Sequence, residues 1–183
     1  NYIEKFQEGR LDGLFNVAGI LGDGKTTSGP ERSLSNVESD WLKKTLEVNT
    51  IGPIMLAKTL APYLKTKQKT NQAASIVVNF SARVGSISDN RLGGWYSYRI
   101  SKSALNQATK CMSLELRRHG VLVMSYHPGT TDTDLSVPFQ KNVKPEKLFT
   151  AEYTVKSLLD ICDKFQEEHS GGFYDYSGTF VPY

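Results

Sequence analysis

Three stretches of this chain are almost continuously apolar: "LDGLFNVAG" (Leu11–Gly19), "ASIVVNFSA" (Ala74–Ala82) and "VLVMSYHPG" (Val121–Gly129). Runs of that kind, rather than alternating ones, mark strands buried on both faces of a parallel sheet. Long stretches with apolar residues at helical spacing lie between them. From Val37 to Leu64 the apolar positions include Trp41, Leu42, Leu46, Val48, Ile51, Met55, Leu60 and Leu64. From Tyr98 to Leu116 they include Ile100, Ala104, Leu105, Ala108, Met112 and Leu116. A third helix is expected from Ala151 to about His169, with Thr150 as its cap. A short strand near "GTFVPY" is expected to close the chain. Strands alternating with helices predict an α/β, doubly wound parallel sheet of Rossmann type, and residues 1–183 read as a single domain.

Composition narrows this without redirecting it. The chain has 183 residues, 39% apolar and 22% charged, with a net charge of +3, enough for one domain with a real core. The basic run "KTKQK" (Lys65–Lys69) reads as the solvated end of a helix and not as a nucleic-acid surface, which is larger and interleaved with aromatics. Cys111 and Cys162 lack disulfide or metal spacing and read as two buried free thiols in a reducing compartment. No metal site is expected. No run reaches transmembrane length and no signal pattern opens the chain, so a cytoplasmic protein is expected, with neither membrane nor nucleic acid as a partner.

One motif points toward nucleotide hydrolysis. Gly19, Gly24, Lys25 and Thr26 have the order of a phosphate-cradling P-loop. The segment that follows, "TTSGPERSLSN", has no apolar repeat from which to build the helix such a loop must enter, and the best later strand, "ASIVVNFSA", ends in Asn79 and Ser81 with no Asp to hold a metal. The segment is therefore read as a polar surface loop, with a P-loop phosphohydrolase as the lesser alternative.

The chemistry gathers in "NFSARVGSISDNRLGGWYSYRISKSALN". Tyr98 and Lys102 are four apart at the start of a helix, so their side chains share one face. An ammonium beside a phenol favours the phenolate, which lowers the Tyr pKa and suits proton transfer near neutrality. Tyr63 with Lys67 repeats the spacing, but at the tail of a Lys-rich helix, where solvent exposure is expected. Tyr98 instead follows a buried strand and a Gly-rich loop, at the sheet end where doubly wound folds bind ligands.

At these residues the sequence resembles the short-chain dehydrogenase/reductase family, in its carbonyl-reductase-like branch. "GGWYSYRISKSALN" carries the likeness most strongly. "NVAG" (Asn16–Gly19) resembles the family's N-N-A-G with Val17 in place of the second Asn, "VNTIG" carries Asn49, and "HPGTTDTD" resembles the P-G-x-x-x-T that wraps a nicotinamide. The resemblance implies an NAD(P)-dependent oxidoreductase acting on a small carbonyl or alcohol substrate. It implies Tyr98 as proton donor, Lys102 as its tuner and ribose ligand, and Asn49 as holder of a relay water. The implied NAD or NADP contacts are Asn16, Ala18, Gly19, Val48, Tyr98, Lys102, Pro128, Gly129, Thr131 and Thr133. A homo-oligomer through the long helices is a further expectation.

Two departures stand out. The family's carbonyl-polarising Ser falls on Ala82, leaving Ser81 or Ser86 as substitutes. The family's glycine-rich T-G-x-x-x-G-x-G turn is not in the sequence, so the chain reads as the C-terminal two-thirds of such a domain. Alone it is expected neither to bind NAD(P)H tightly nor to reduce carbonyls, and to associate along an exposed Leu11–Gly19 edge. Those departures motivate the alternative of a non-catalytic, nucleotide-sensing or scaffolding relative.

Overall fold

A computed structural model describes residues 9–22, 30–64 and 74–183. The P-loop-like residues Gly24, Lys25 and Thr26, the run Lys65–Lys69 and the Lys67 partner of Tyr63 lie outside the described residues. The three apolar runs form parallel strands β1 (Gly13–Asn16), β2 (Ser75–Phe80) and β3 (Val121–His127). A short pair, β4 (Thr130–Thr131) and β5 (Leu148–Phe149), stands apart from them, and β6 (Phe173–Asp175) completes the main sheet in the order β1-β2-β3-β6. The closing strand thus comes earlier than "GTFVPY". The chain turns back after Asp175 and Phe180 bridges Tyr174 antiparallel, because Gly178 at φ +78 reverses it.

The stretch expected as one helix is continuous but not uniform. α1 (Ser39–Leu46) passes through a π-helical turn, Glu47–Ile51, into α2 (Gly52–Leu64). The second expected helix, α3, runs Tyr96–Leu116. The third, α4, opens as expected with Thr150 accepting from Tyr153 N, but stops at Cys162; Glu167–His169 is only a 3-10 turn.

The sheet is sandwiched between two apolar layers. Val77, Val121 and Val123 pack with Leu64 of α2 and Leu116 of α3 on one face. Val78, Met124 and Tyr126 pack with Leu158 of α4 and with Phe165 on the other. Helices on both faces of a parallel sheet make the fold the α/β, Rossmann-like one expected. Both cysteines are free, but Cys111 is exposed rather than buried and Cys162 is half-buried. Cys111 lies on the outward face of α3, one helical turn beyond Gln107.

The α3 face of the sheet carries a polar rung among its valines. Asn16, Asn79 and Ser125 stand abreast in the strand register. Asn16 Nδ2 donates to Asn79 Oδ1 at 2.8 Å, while Asn79 Nδ2 and Ser125 Oγ each donate to Thr109 Oγ1 of α3 at 2.9 Å. Buried polar groups need such partners, and this rung fixes the strand ends against α3 just below the site.

Candidate active site

The C-terminal ends of β1 and β2, the π turn and the first turns of α3 converge. Tyr98 and Lys102 occupy adjacent turns of α3 and are 8% and 3% exposed. Lys102 Nζ donates to the Phe80 carbonyl oxygen at the end of β2 at 2.6 Å, and lies 5.6 Å from the Tyr98 ring centre. Helix α3 comes this close because the preceding turn carries Gly85, where an added Cβ would fall 2.7 Å from Lys102 Cβ.

Burial, rather than mutual attraction, sets both protonation states. Desolvation pushes the Tyr98 phenol up to about 12 and draws the Lys102 ammonium down to about 8. The expected lowering of the Tyr98 pKa by Lys102 is therefore corrected. Both groups lose hydration, and the ammonium is committed first to the Phe80 carbonyl.

Asn49 sits in the π turn and is fully buried. Its amide grips the backbone of Ile20 from both sides, Oδ1 accepting from Ile20 N at 2.8 Å and Nδ2 donating to Ile20 O at 2.9 Å. Nδ2 also donates to Ser101 Oγ at 3.1 Å, and Thr50 Oγ1 donates to the Ser101 carbonyl oxygen at 2.8 Å. The π turn, a device frequent at functional sites, thus locks the loop after β1 onto α3. Gly19 lies beside this lock, where an added Cβ would stand 3.4 Å from Asn49 Oδ1 and 3.5 Å from Lys102 Nζ.

Ser81 and Ser86, the expected substitutes for a hydroxyl at Ala82, differ in what they can still donate. Ser81 Oγ donates to Asn106 Oδ1 at 2.7 Å, so its proton is committed to α3. Ser86 Oγ accepts from Asp89 N at 3.1 Å and donates to no described residue. Tyr63 is half-buried, contrary to expectation, because α2 packs its last turn on the loop before β1 and Leu11 N donates to the Tyr63 carbonyl oxygen.

The remaining expected contacts flank the same end of the sheet. Asn16 is buried, Val48 is half-buried and Ala18 is exposed. Pro128 and Gly129 follow β3, with Gly129 at φ +73 against the Phe149 ring. Thr131 Oγ1 pairs with Thr154 Oγ1 at 2.8 Å, and Thr133 N donates to Ser136 Oγ at 3.3 Å. Sequence reasoning missed Glu31, which is 3% exposed and bonded to Ser97 at the start of α3, and also missed Ser101 and Asn106. The sequence shows only that a cap is needed from elsewhere, because Trp95, before the first turn of α3, cannot act as a side-chain cap; nothing in it points to Glu31. Among the described residues no three His, Cys, Asp or Glu side chains gather as metal ligands, and no helix is long and apolar enough to cross a membrane.

A parallel sheet with a Tyr–Lys pair on the helix after a strand end is the layout of the short-chain dehydrogenases, and the chain belongs to that family. The family's model, described as short chain dehydrogenase, matches residues 1–144. The chain is 34% identical over 175 residues to C-signal of Myxococcus xanthus, spanning 96% of this chain and 94% of that protein. It is 33% identical over 172 residues to 1-hydroxy-2-glutathionyl-2-methyl-3-butene dehydrogenase of Rhodococcus sp. (strain AD45), covering 94% of this chain and 68% of that enzyme. Among solved structures, it matches the carbonyl reductase Sniffer of D. melanogaster with a TM-score of 0.85 and 34% identity, over all of this chain and 71% of that one. The NADPH-bound carbonyl reductase from chicken fatty liver matches with a TM-score of 0.84 and 27% identity, over all of this chain and 69% of that one.

Proposed function

We propose that this protein is an NAD(P)-dependent reductase of small carbonyl compounds, with Tyr98 as proton donor and Lys102 as its partner. One observation carries the reading: an almost fully buried ammonium stands beside a buried phenol at the C-terminal end of a parallel sheet, where such folds hold their ligands. Burying two such groups is costly and is favoured where it serves a site.

The residues suit the ribose and nicotinamide end of a dinucleotide. After its bond to Phe80, Lys102 has N–H groups left for ribose hydroxyls, and bare Gly19 leaves the space beside Nζ open. Asn16, Ala18 and Val48 would border the ribose, while Pro128, Gly129, Thr131 and Thr133 would flank the nicotinamide. When bound, the nicotinamide supplies the hydride. Tyr98 gives its proton to the substrate carbonyl oxygen, and its high pKa keeps that proton in place until negative charge develops there. The Lys102 ammonium favours the phenolate that results. Asn49, with both amide hydrogens committed, acts by holding the loop after β1 in place.

A second reading, a nucleotide-sensing or scaffolding relative without turnover, is favoured by Ala82 together with the commitment of Ser81 to Asn106. Loss of reduced-nicotinamide absorbance with a panel of aldehydes and ketones separates the two. Tyr98-dependent consumption is expected. Dinucleotide binding without consumption of any compound would favour the second reading.

A further inference from the structure

Helix α3 starts without a cap of its own. Before its first turn stands Trp95 at φ 54 and ψ 39, the one described non-glycine residue with positive φ. An indole accepts nothing from the unpaired N–H groups of a first turn. A non-glycine residue persists in this region only where its surroundings hold it there.

The holding group comes from far along the chain. The buried Glu31 carboxylate accepts from Ser97 N with both oxygens, each at 3.3 Å, and from the Ser97 hydroxyl. The Glu31 carbonyl oxygen accepts from Trp95 N at 2.5 Å. A Cβ on Gly94, itself at φ +63, would meet that carbonyl oxygen at 3.3 Å, so the two segments lie flat against each other. A carboxylate at this end also complements the helix dipole.

The turn so fixed carries the chemistry. Tyr98 is the third residue of α3, and the Trp95 ring meets the Tyr98 ring edge-on at 6.4 Å and the Phe139 ring at 5.1 Å. We propose that Glu31 is a positioning residue: it caps α3 from a distant loop and so sets where the Tyr98 hydroxyl and the Trp95 ring stand against the substrate. This rests on the reading of Tyr98 as proton donor. Lys102, one turn further on, is anchored separately by Phe80, so losing Glu31 impairs turnover while sparing cofactor binding.

The test uses Glu31→Ala and the isosteric Glu31→Gln in the protein as expressed from its own gene, in a Trp41→Phe background that leaves Trp95 as the single tryptophan of these 183 residues. Acrylamide quenching of Trp95, dinucleotide Kd and kcat are measured for each. In Glu31→Ala, quenching is expected to rise and kcat to fall about tenfold or more, the scale of a small misplacement of a reacting group. Kd should stay near that of the parent, and Glu31→Gln, which keeps an acceptor oxygen, should recover part of both losses. Unchanged quenching and kcat in Glu31→Ala would overturn the proposal, as would a parallel loss of cofactor binding in both variants. If the parent reduces no carbonyl compound, the functional reading fails, and quenching alone still decides whether Glu31 holds the turn.

Discussion

The ammonium of Lys102 donates to the carbonyl oxygen of Phe80 at 2.6 Å and stands 5.6 Å from the centre of the Tyr98 ring. Its first partner is therefore the end of strand β2, and its charge reaches the phenol across a short gap rather than through a hydrogen bond. Burial keeps the phenol protonated, while the cation stands close enough to favour the phenolate once the proton has moved.

Tyr98→Phe removes only the hydroxyl and keeps the ring against Trp95. Turnover should fall by roughly 10²–10⁴, the usual contribution of a positioned acid, with dinucleotide Kd nearly unchanged. Steady-state kinetics and calorimetry of the protein as expressed from its own gene check this. Tyr63→Phe, on α2 and away from the site, should leave kcat unaltered.

The pH dependence of activity separates the pair. Tyr98 stays protonated to about pH 12, so it places no descending limb in the working range. Lys102 loses its proton near pH 8, and kcat for reduction should decline above that value. A profile flat to pH 10 would show that the ammonium charge is not needed.

Stability should follow the same two groups. Because Lys102 titrates lower when folded, the unfolded chain binds more protons between about pH 8 and 10.5, and stability rises with pH across that window. Above it, the raised Tyr98 pKa reverses the slope up to about pH 12. The buried charge costs on the order of 3 kcal/mol at pH 7 by the linkage of pKa to free energy. Lys102→Met should thus stabilise the fold by about 2 kcal/mol after loss of the Phe80 hydrogen bond, while ending catalysis. Thermal unfolding from pH 7 to 10 should then lose its upward slope.

Ala82→Ser should raise activity, since a preorganised donor to a carbonyl oxygen is worth on the order of 10²–10³ in rate. Of the two natural serines, Ser86→Ala should cost more than Ser81→Ala, because only Ser86 has a proton uncommitted among the described residues. Equal kcat in all three variants would mean that the substrate is polarised by another group.

The sheet strands and the Tyr98–Lys102 pair were legible because their signals are local: unbroken apolar runs, and two residues one helical turn apart. The distant partners were not. Glu31 meets Ser97 across 66 positions and Asn49 meets Ile20 across 29, separations over which no periodicity carries information. The π turn was hidden because one extra residue per turn hardly disturbs an apolar pattern already broad between Leu46 and Ile54. At Tyr98, spacing reveals a neighbouring charge but not the desolvation that outweighs it. "GTFVPY" has the look of a terminal strand because it is apolar, but it packs back over Phe173 and Tyr174, where Val181 N donates to the Phe173 carbonyl oxygen.

Asn49 offers the sharpest test of how the site is held. Its amide makes three hydrogen bonds with no exposure to water, two of them to the backbone of Ile20. Asn49→Leu keeps the approximate volume but leaves Ile20 N, Ile20 O and Ser101 Oγ each short of a bond. A buried group so orphaned costs about 1–3 kcal/mol, and part of this is regained as the loop relaxes. A net loss of about 2–4 kcal/mol follows, or roughly 5–15 °C in Tm for a domain of this size. Asn49→Asp keeps the acceptor for Ile20 N and loses both donors, so it should fall between Asn49→Leu and the parent near neutral pH, where Lys102 can offset the new charge. Because the loop freed by either change carries Gly19, dinucleotide Kd should weaken together with Tm. A full drop in Tm with unaltered Kd would show that the Asn49 clamp stabilises the fold without shaping the site.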